Sequence, residues 1–191
     1  IGIARYPDHA KDPATLLRHA DVAMYVAERR QTRYEMYDPA NDRNTVRRLA
    51  MVGELRSAIA NGQLRFYYQP QINFRTRQCD SVEALIRWPH PEYGFVSPAE
   101  FIALAESTDL IRPLTEWTLE CAMEQWVQWR TSGLQIRVAV NLSARLLQDT
   151  DFVSVLRGLL AKHRVPGEAL ELEITESALL YDSERALPVI R

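Results

Sequence analysis

Apolar and polar positions change their spacing along the chain, and each change marks an element. Ile1 to Tyr6 reads as the end of a strand, closed by Pro7 and Asp8. From residue 13 to 30, Leu16, Leu17, Ala20, Ala23, Met24 and Ala27 recur at helical spacing and predict an amphipathic helix. Tyr34 to Tyr37 predicts a short edge strand before Asp38 and Pro39. A second helix is expected from about Thr45 to Ala60, capped by Asn44, striped by Leu49, Val52, Leu55 and Ile59, and stopped at Asn61 and Gly62.

From residue 64 the texture shifts to strand-prone aromatics in LRFYYQPQINF, followed by a turn, NFRTRQ, and by DSVEALIRWPH. The first and last of these predict an antiparallel pair. In the second strand, Ser81, Glu83, Leu85 and Arg87 share one side, while Val82, Ala84 and Ile86 share the other. Pro89 and Pro91 are expected to stop it. Helices follow from Ser97 and Pro98 and over Pro113 to Arg130, then a strand over Val138 to Leu142. A helix over Thr150 to Lys162, a strand over Leu170 to Ile174 and a last helix from near Ser183 complete the pattern. Helix alternating with strand predicts a parallel sheet or barrel. A complete barrel takes roughly 250 residues, so the stretch after residue 64 is expected to cover only its first part.

Charge and composition narrow the function classes. The 191 residues carry 23 basic and 25 acidic side chains, a formal charge of -2, which gives no global field for nucleic acid or membrane. Two cysteines, Cys79 and Cys121, are too few for a disulfide scaffold and fit a reducing compartment, where they read as small buried residues. No apolar stretch has membrane-spanning length. The chain opens at Ile1 and ends at Arg191 after a short apolar run, so both ends are read as cut, leaving room for segments upstream.

Three strand ends concentrate polar chemistry. These are Glu83 with Arg87, then Asn141 and Ser143 in VAVNLSA, then Glu171, Glu173, Thr175 and Glu176 in ELEITES. In parallel barrels chemistry gathers at the carboxyl ends of strands. Carboxylates with an asparagine carbonyl match a hard divalent cation, and an arginine can hold a phosphate through paired hydrogen bonds. Together they point to phosphoester hydrolysis, in which the metal acidifies a bound water. Plainer readings stand beside this one. Glu83 is alternatively a solvated residue or a structural partner of Arg87, Asn141 and Ser143 a helix cap, Glu171 a solvated or structural residue, and Glu176 a loop brace. His90 reads as loop packing, and Trp117, Trp126 and Trp129 as helix-to-sheet packing.

The motifs YYQPQI, VEALIRWPHPEYGFVSPAEFIALAE, VNLSARLL and LELEITES, in that order, resemble the EAL family of cyclic-di-GMP phosphodiesterases over residues 46 to 191. The resemblance implies an α/β fold, an incomplete EAL-type modified TIM barrel with an antiparallel first strand. It implies metal binding by Glu83, Asn141 and Glu173, with Glu83 and Glu176 in the catalytic set, Glu176 organising the active-site loop. Arg87 matches the phosphate-contacting arginine, and Gln69 and Leu85 fall in the substrate-binding motifs. Mg2+ or Mn2+ is the implied cofactor, and cyclic-di-GMP, cut to linear pGpG, the implied substrate. No DNA or RNA polymer is expected as partner.

IGIARYPDHAKDPATLLRHADVAMYVAERR resembles the end of a GGDEF diguanylate cyclase domain. Residues 1–38 are therefore expected to be its C-terminal remnant, the terminal fragment of a GGDEF-type α/β domain, with residues 39–45 a linker. Glu28 and Gln31 stand where that family has a lysine and a glycine, which weakens the expectation of cyclase activity. The later EAL motifs, the paired aspartates, a lysine and a further glutamate, do not occur in the 191 residues, so this chain alone is expected to turn over little or no substrate. The parent is expected to be a phosphodiesterase forming homodimers through the EAL domain, with room for an upstream sensory domain. The alternative is a silent cyclic-di-GMP receptor or scaffold. These domains are expected in the cytoplasm, with any inner-membrane attachment through upstream segments.

Overall fold

The computed structural model describes residues 1–30, 32–149 and 151–174. The helix expected near Ser183, and Thr175 and Glu176, lie outside the described residues. The chain forms two compact units, the first Ile1–Glu54 and the second from Leu55 onward.

In the first unit, β1 (Gly2–Ile3) pairs in parallel with β2 (Glu35–Met36), and α1 (Pro13–Arg30) packs on them. Both strands are shorter than the sequence suggests. The buried stripe of α1 is also rotated, since Leu17 and Met24 are exposed while His19, Val22, Ala23, Val26 and Ala27 are buried. Close approach of strand to helix explains the rotation. A Cβ on Gly2 would lie 1.9 Å from the Ala20 carbonyl oxygen and 2.2 Å from the Met24 amide nitrogen, so only glycine fits. Tyr37 stacks on His19 with ring centroids 3.8 Å apart.

The second helix, α2 (Pro39–Ala60), begins six residues before the expected Thr45, and so covers the stretch expected as a linker. Pro39 is the reason, because proline suits the first helical position, where no intrahelical N–H is required. Its end follows the sequence. Gly62 takes φ 61° and the Gln63 N–H returns to the Ala58 carbonyl at 2.9 Å.

In the second unit, β3 (Arg65–Asn73) and β4 (Gln78–His90) form the expected antiparallel pair, and β5 (Gly94–Val96) folds back on the end of β4. Pro89 does not stop β4. At that point the strand is paired with β5 alone, Pro89 opposite Phe95, and a proline is tolerated where one ladder is open. His90 makes the turn, its Nδ1 accepting from the N–H groups of Glu92 at 3.1 Å and Tyr93 at 3.3 Å.

Next come α3 (Pro98–Glu106), α4 (Ile111–Thr131), β6 (Arg137–Asn141), α5 (Phe152–His163) and β7 (Leu170–Glu173). The sheet order is β3-β4-β6-β7, with β4, β6 and β7 parallel, and among the described residues it does not close on itself. Val82, Ala84, Val138 and Val140 turn one face toward Leu119, Ala122 and Met123 of α4, forming the core. Phe66 stacks on Trp117 at 5.3 Å and Tyr68 meets Trp129 edge-on at 4.7 Å, so these tryptophans pack helix on sheet. Trp88 is 1% exposed and meets Phe101 of α3 edge-on at 5.9 Å. Lys162 bonds Glu120, joining α5 to α4 and holding the Glu120 carboxyl below its usual range. No helix among the described residues is long and apolar enough to cross a membrane.

The two cysteines differ. Cys79 is exposed, contrary to expectation, because it lies beside a β-bulge near the outer end of the β3–β4 pair. Burial, then Glu124 and Glu120, push the Cys121 thiol up to about 11, so it stays protonated near pH 8. A thiol reagent at about pH 8 is therefore expected to modify Cys79 and spare Cys121 until the protein unfolds. Equal labelling of the folded protein, read by mass spectrometry, would contradict this. Burial, then Cys121, likewise raises the Tyr68 phenol from 10.0 to about 12. Folding thus favours the neutral form of both groups. That contribution is complete below the unfolded values and is lost as the pH climbs through about 11 and 12.

Candidate active site

Strand alternation sorts the second unit's sheet into an apolar face under the helices and a polar face opposite. Val82 and Ala84 belong to the first. Register places Ser81, Glu83, Leu85 and Arg87 of β4 on the second, beside Gln69 and Gln71 of β3, Asn141 of β6 and Glu173 of β7. Gln69 is the direct partner of Glu83, Tyr67 of Leu85, and Asn141 of Glu173.

The polar face is concave. Gln71 Nε2 donates to Glu173 Oε1 at 3.1 Å, although β3 and β7 stand at opposite ends of the strand order. In a flat sheet those strands would be roughly 14 Å apart with their side chains pointing the same way. The bond forms because the sheet coils inward toward this face.

Glu83 and Asn141 come together, with Asn141 Nδ2 donating to Glu83 Oε1 at 2.7 Å. This contact excludes the reading of Asn141 as only a helix cap. Capping falls to Ser143, which accepts from the Arg145 N–H at 3.4 Å and donates to Glu106 Oε1 at 2.7 Å. Nor is Glu83 a structural partner of Arg87. The Arg87 guanidinium donates to the Ile86 carbonyl at 2.9 Å and lies 5.9 Å from the Tyr67 ring centroid, roughly 13 Å along the strand from Glu83. Glu171 stands level with Glu83 across Ala139, but its carboxylate is paired with Arg137, which also lies 3.7 Å from Asp80, so it is engaged in an ion-pair cluster at the amino ends of the strands. Glu176, the remaining expected site residue, lies outside the described residues.

The donor set fits a hard divalent cation. With its amide nitrogen turned to Glu83, Asn141 has its oxygen as the available acceptor. Glu83 and Glu173 each use Oε1 in the bonds above, which leaves the second carboxylate oxygen for a metal. Among the described residues no three His, Cys, Asp or Glu side chains gather into a metal cluster, and Asn141, bonded to Glu83 and paired in register with Glu173, adds a neutral oxygen donor between them.

Two residues of this face carry no role in the sequence reading. Gln71 bonds Glu173, and Ser81, 4% exposed, donates to Gln71 Oε1 at 2.7 Å. The signal was present in the alternation that puts Gln71 with Gln69 and Ser81 with Glu83.

The EAL domain family matches residues 52–191. Cyclic di-GMP phosphodiesterase PdeR of Escherichia coli is 38% identical over 192 residues, which is 100% of this chain and 29% of that protein. The bifunctional diguanylate cyclase/cyclic di-GMP phosphodiesterase MucR of Pseudomonas aeruginosa is 34% identical, again over 100% of this chain and 28% of its own length. The chain thus spans less than a third of either relative. Among solved structures, the PaMucR phosphodiesterase in complex with c-di-GMP aligns with TM-score 0.69 at 35% identity, over 73% of this chain and 57% of the other. The FimX EAL domain of Xanthomonas citri, in complex with c-diGMP, aligns with TM-score 0.66 at 26% identity, over 75% and 55%. With most of its length matched by the family and its sheet aligned to EAL structures, the chain belongs to the EAL domain family, with an α/β fold of EAL type.

Proposed function

We propose that the full-length protein hydrolyses one phosphodiester bond of cyclic-di-GMP to give linear pGpG in bacterial second-messenger signalling. The observation that carries this reading is the row of oxygen donors, Glu83, Asn141 and Glu173, on one concave face of three neighbouring parallel strands. Relatives named as cyclic di-GMP phosphodiesterases, and one solved with c-di-GMP bound, support the substrate.

In this reading Glu83, Asn141 and Glu173 hold Mg2+ or Mn2+. Such a cation supplies positive charge against the phosphate and acidifies the attacking water. Asn141 orients the Glu83 carboxylate through its amide N–H, while Arg87 grips a phosphate with its guanidinium fork. Gln69 and Leu85 line the substrate pocket, and Glu176 organises the adjoining loop. The EAL part, residues 46–191, contributes to a modified TIM barrel and to a homodimer. Residues 1–38 are a GGDEF-domain remnant, supported by the separate first unit and by the likeness of the whole chain to a bifunctional cyclase/phosphodiesterase. Residues 39–45 then connect the two as part of α2. An upstream sensory domain supplies the input, and these domains work in the cytoplasm on a small cyclic dinucleotide rather than a nucleic-acid polymer.

The test is incubation of the full-length protein with cyclic-di-GMP and Mg2+ or Mn2+, with product separated by chromatography. The expected result is pGpG, abolished by a chelator and restored by metal. Tight binding without product would overturn the enzyme reading in favour of a receptor. Arg87→Lys keeps the charge and loses the planar fork, so KM is expected to rise about tenfold with a smaller change in kcat. An unchanged KM would remove Arg87 from phosphate binding.

A further inference from the structure

We propose that Gln71 is a positioning residue that, fixed by buried Ser81, reaches across the coiled sheet to hold Oε1 of Glu173 and so presents the second carboxylate oxygen to the divalent cation. The inference rests on Glu173 being a metal ligand, as proposed above.

Three observations carry it. The Ser81 hydroxyl, 4% exposed, donates to Gln71 Oε1 at 2.7 Å. An amide whose oxygen is engaged on one side must turn its NH2 to the other, and there Nε2 meets Glu173 Oε1 at 3.1 Å. Orientation therefore passes from a buried hydroxyl, through a half-buried amide, to a carboxylate on a distant strand. The register shift in the β3–β4 ladder falls directly after Gln71, between Gln71 and Ile72, so the last regular pair before it is Gln71 with Ser81. Bulges commonly re-aim side chains at functional sites.

The chemistry of the residue suits the task. A lysine or arginine at this position would orient Glu173 but compete with the cation for its charge. Glutamine donates a hydrogen bond and leaves the carboxylate fully anionic, the usual way in which an outer partner aligns a metal ligand.

The test compares Gln71→Met, Ser81→Ala, the double variant and Glu173→Gln in the full-length protein. Mn2+ affinity is titrated through the magnetic resonance signal of free Mn2+, and thermal unfolding is recorded in parallel. Gln71→Met is expected to weaken Mn2+ binding about ten- to a hundredfold, the range found for outer-shell partners, with little change in Tm. Ser81→Ala is expected to weaken it by at least about threefold, and the double variant to be no worse than Gln71→Met alone. Wild-type affinity in Gln71→Met would overturn the proposal, as would losses in the single variants that multiply in the double. Should Gln71→Met fail to fold, wild-type affinity in Ser81→Ala overturns it equally. Glu173→Gln separates the two levels of the argument. If that variant keeps Mn2+ affinity, the ligand reading of Glu173 falls and the proposal with it, whereas loss there beside retention in Gln71→Met removes the role of Gln71 alone.

Discussion

Glu83→Gln is expected to lower turnover of cyclic-di-GMP by the full-length protein about a thousandfold or more, while leaving its unfolding transition in place. The substitution keeps the shape of the side chain and removes its charge. It also sets an amide against the Asn141 amide, where a carboxylate now accepts an N–H at 2.7 Å. One of the two amides must then turn over, which withdraws an oxygen from the cation's side of the row. Chromatographic assay of pGpG at saturating metal measures the effect, and retained turnover would take Glu83 out of the metal-binding role. Glu171→Gln is the matched control, because the Glu171 carboxylate is engaged by Arg137 rather than by Asn141.

Trp88→Ala is expected to cost about 3–5 kcal/mol of stability, the usual cost of emptying a large aromatic site in a core. Trp88 is 1% exposed, and its ring meets Phe101 at 5.9 Å and His90 at 5.3 Å, both edge-on. The loss is a large share of the roughly 5–15 kcal/mol that holds an ordinary domain together. It falls on the strand that carries Glu83 and Arg87, so binding is expected to weaken with folding. Chemical denaturation of Trp88→Ala and Trp88→Phe measures the effect, with the phenylalanine variant recovering most of the loss. A cost below about 1 kcal/mol for alanine would show that the site is not packed as tightly as its burial implies.

The sheet of the second unit was legible because its strands have a clear period. Val82 and Ala84 against Glu83 and Arg87 could be read from alternation, and so could the antiparallel partner in front of them. Proline was the less reliable guide. Pro39 starts a helix earlier than Asn44 suggested, and Pro89 sits within a strand, because its effect depends on whether a neighbour needs the missing N–H. On α1 the apolar residues were visible but not the face they would bury. That depended on Gly2 coming against Ala20 and Met24, a contact between distant segments.

Within the candidate site the oxygen donors could be found from motif and spacing, whereas their mutual bonds could not. Asn141 with Glu83 is a diagonal contact between parallel strands 58 residues apart, and Gln71 with Glu173 exists only because the sheet coils. Neither alternation nor composition encodes coiling at that level. Ser81 and Gln71 had the right parity, but an uncharged pair inside a strand gives no chemical signal until its partner is seen.

Glu83, Asn141 and Glu173 are proposed to form one cation site on the concave face. Anomalous scattering from Mn2+ in crystals of the full-length protein tests it most directly. A single strong peak is expected within coordination distance, about 2.1 Å, of an oxygen from each of the three side chains. Manganese seated elsewhere, with Asn141 still bonded to an unliganded Glu83, would contradict it.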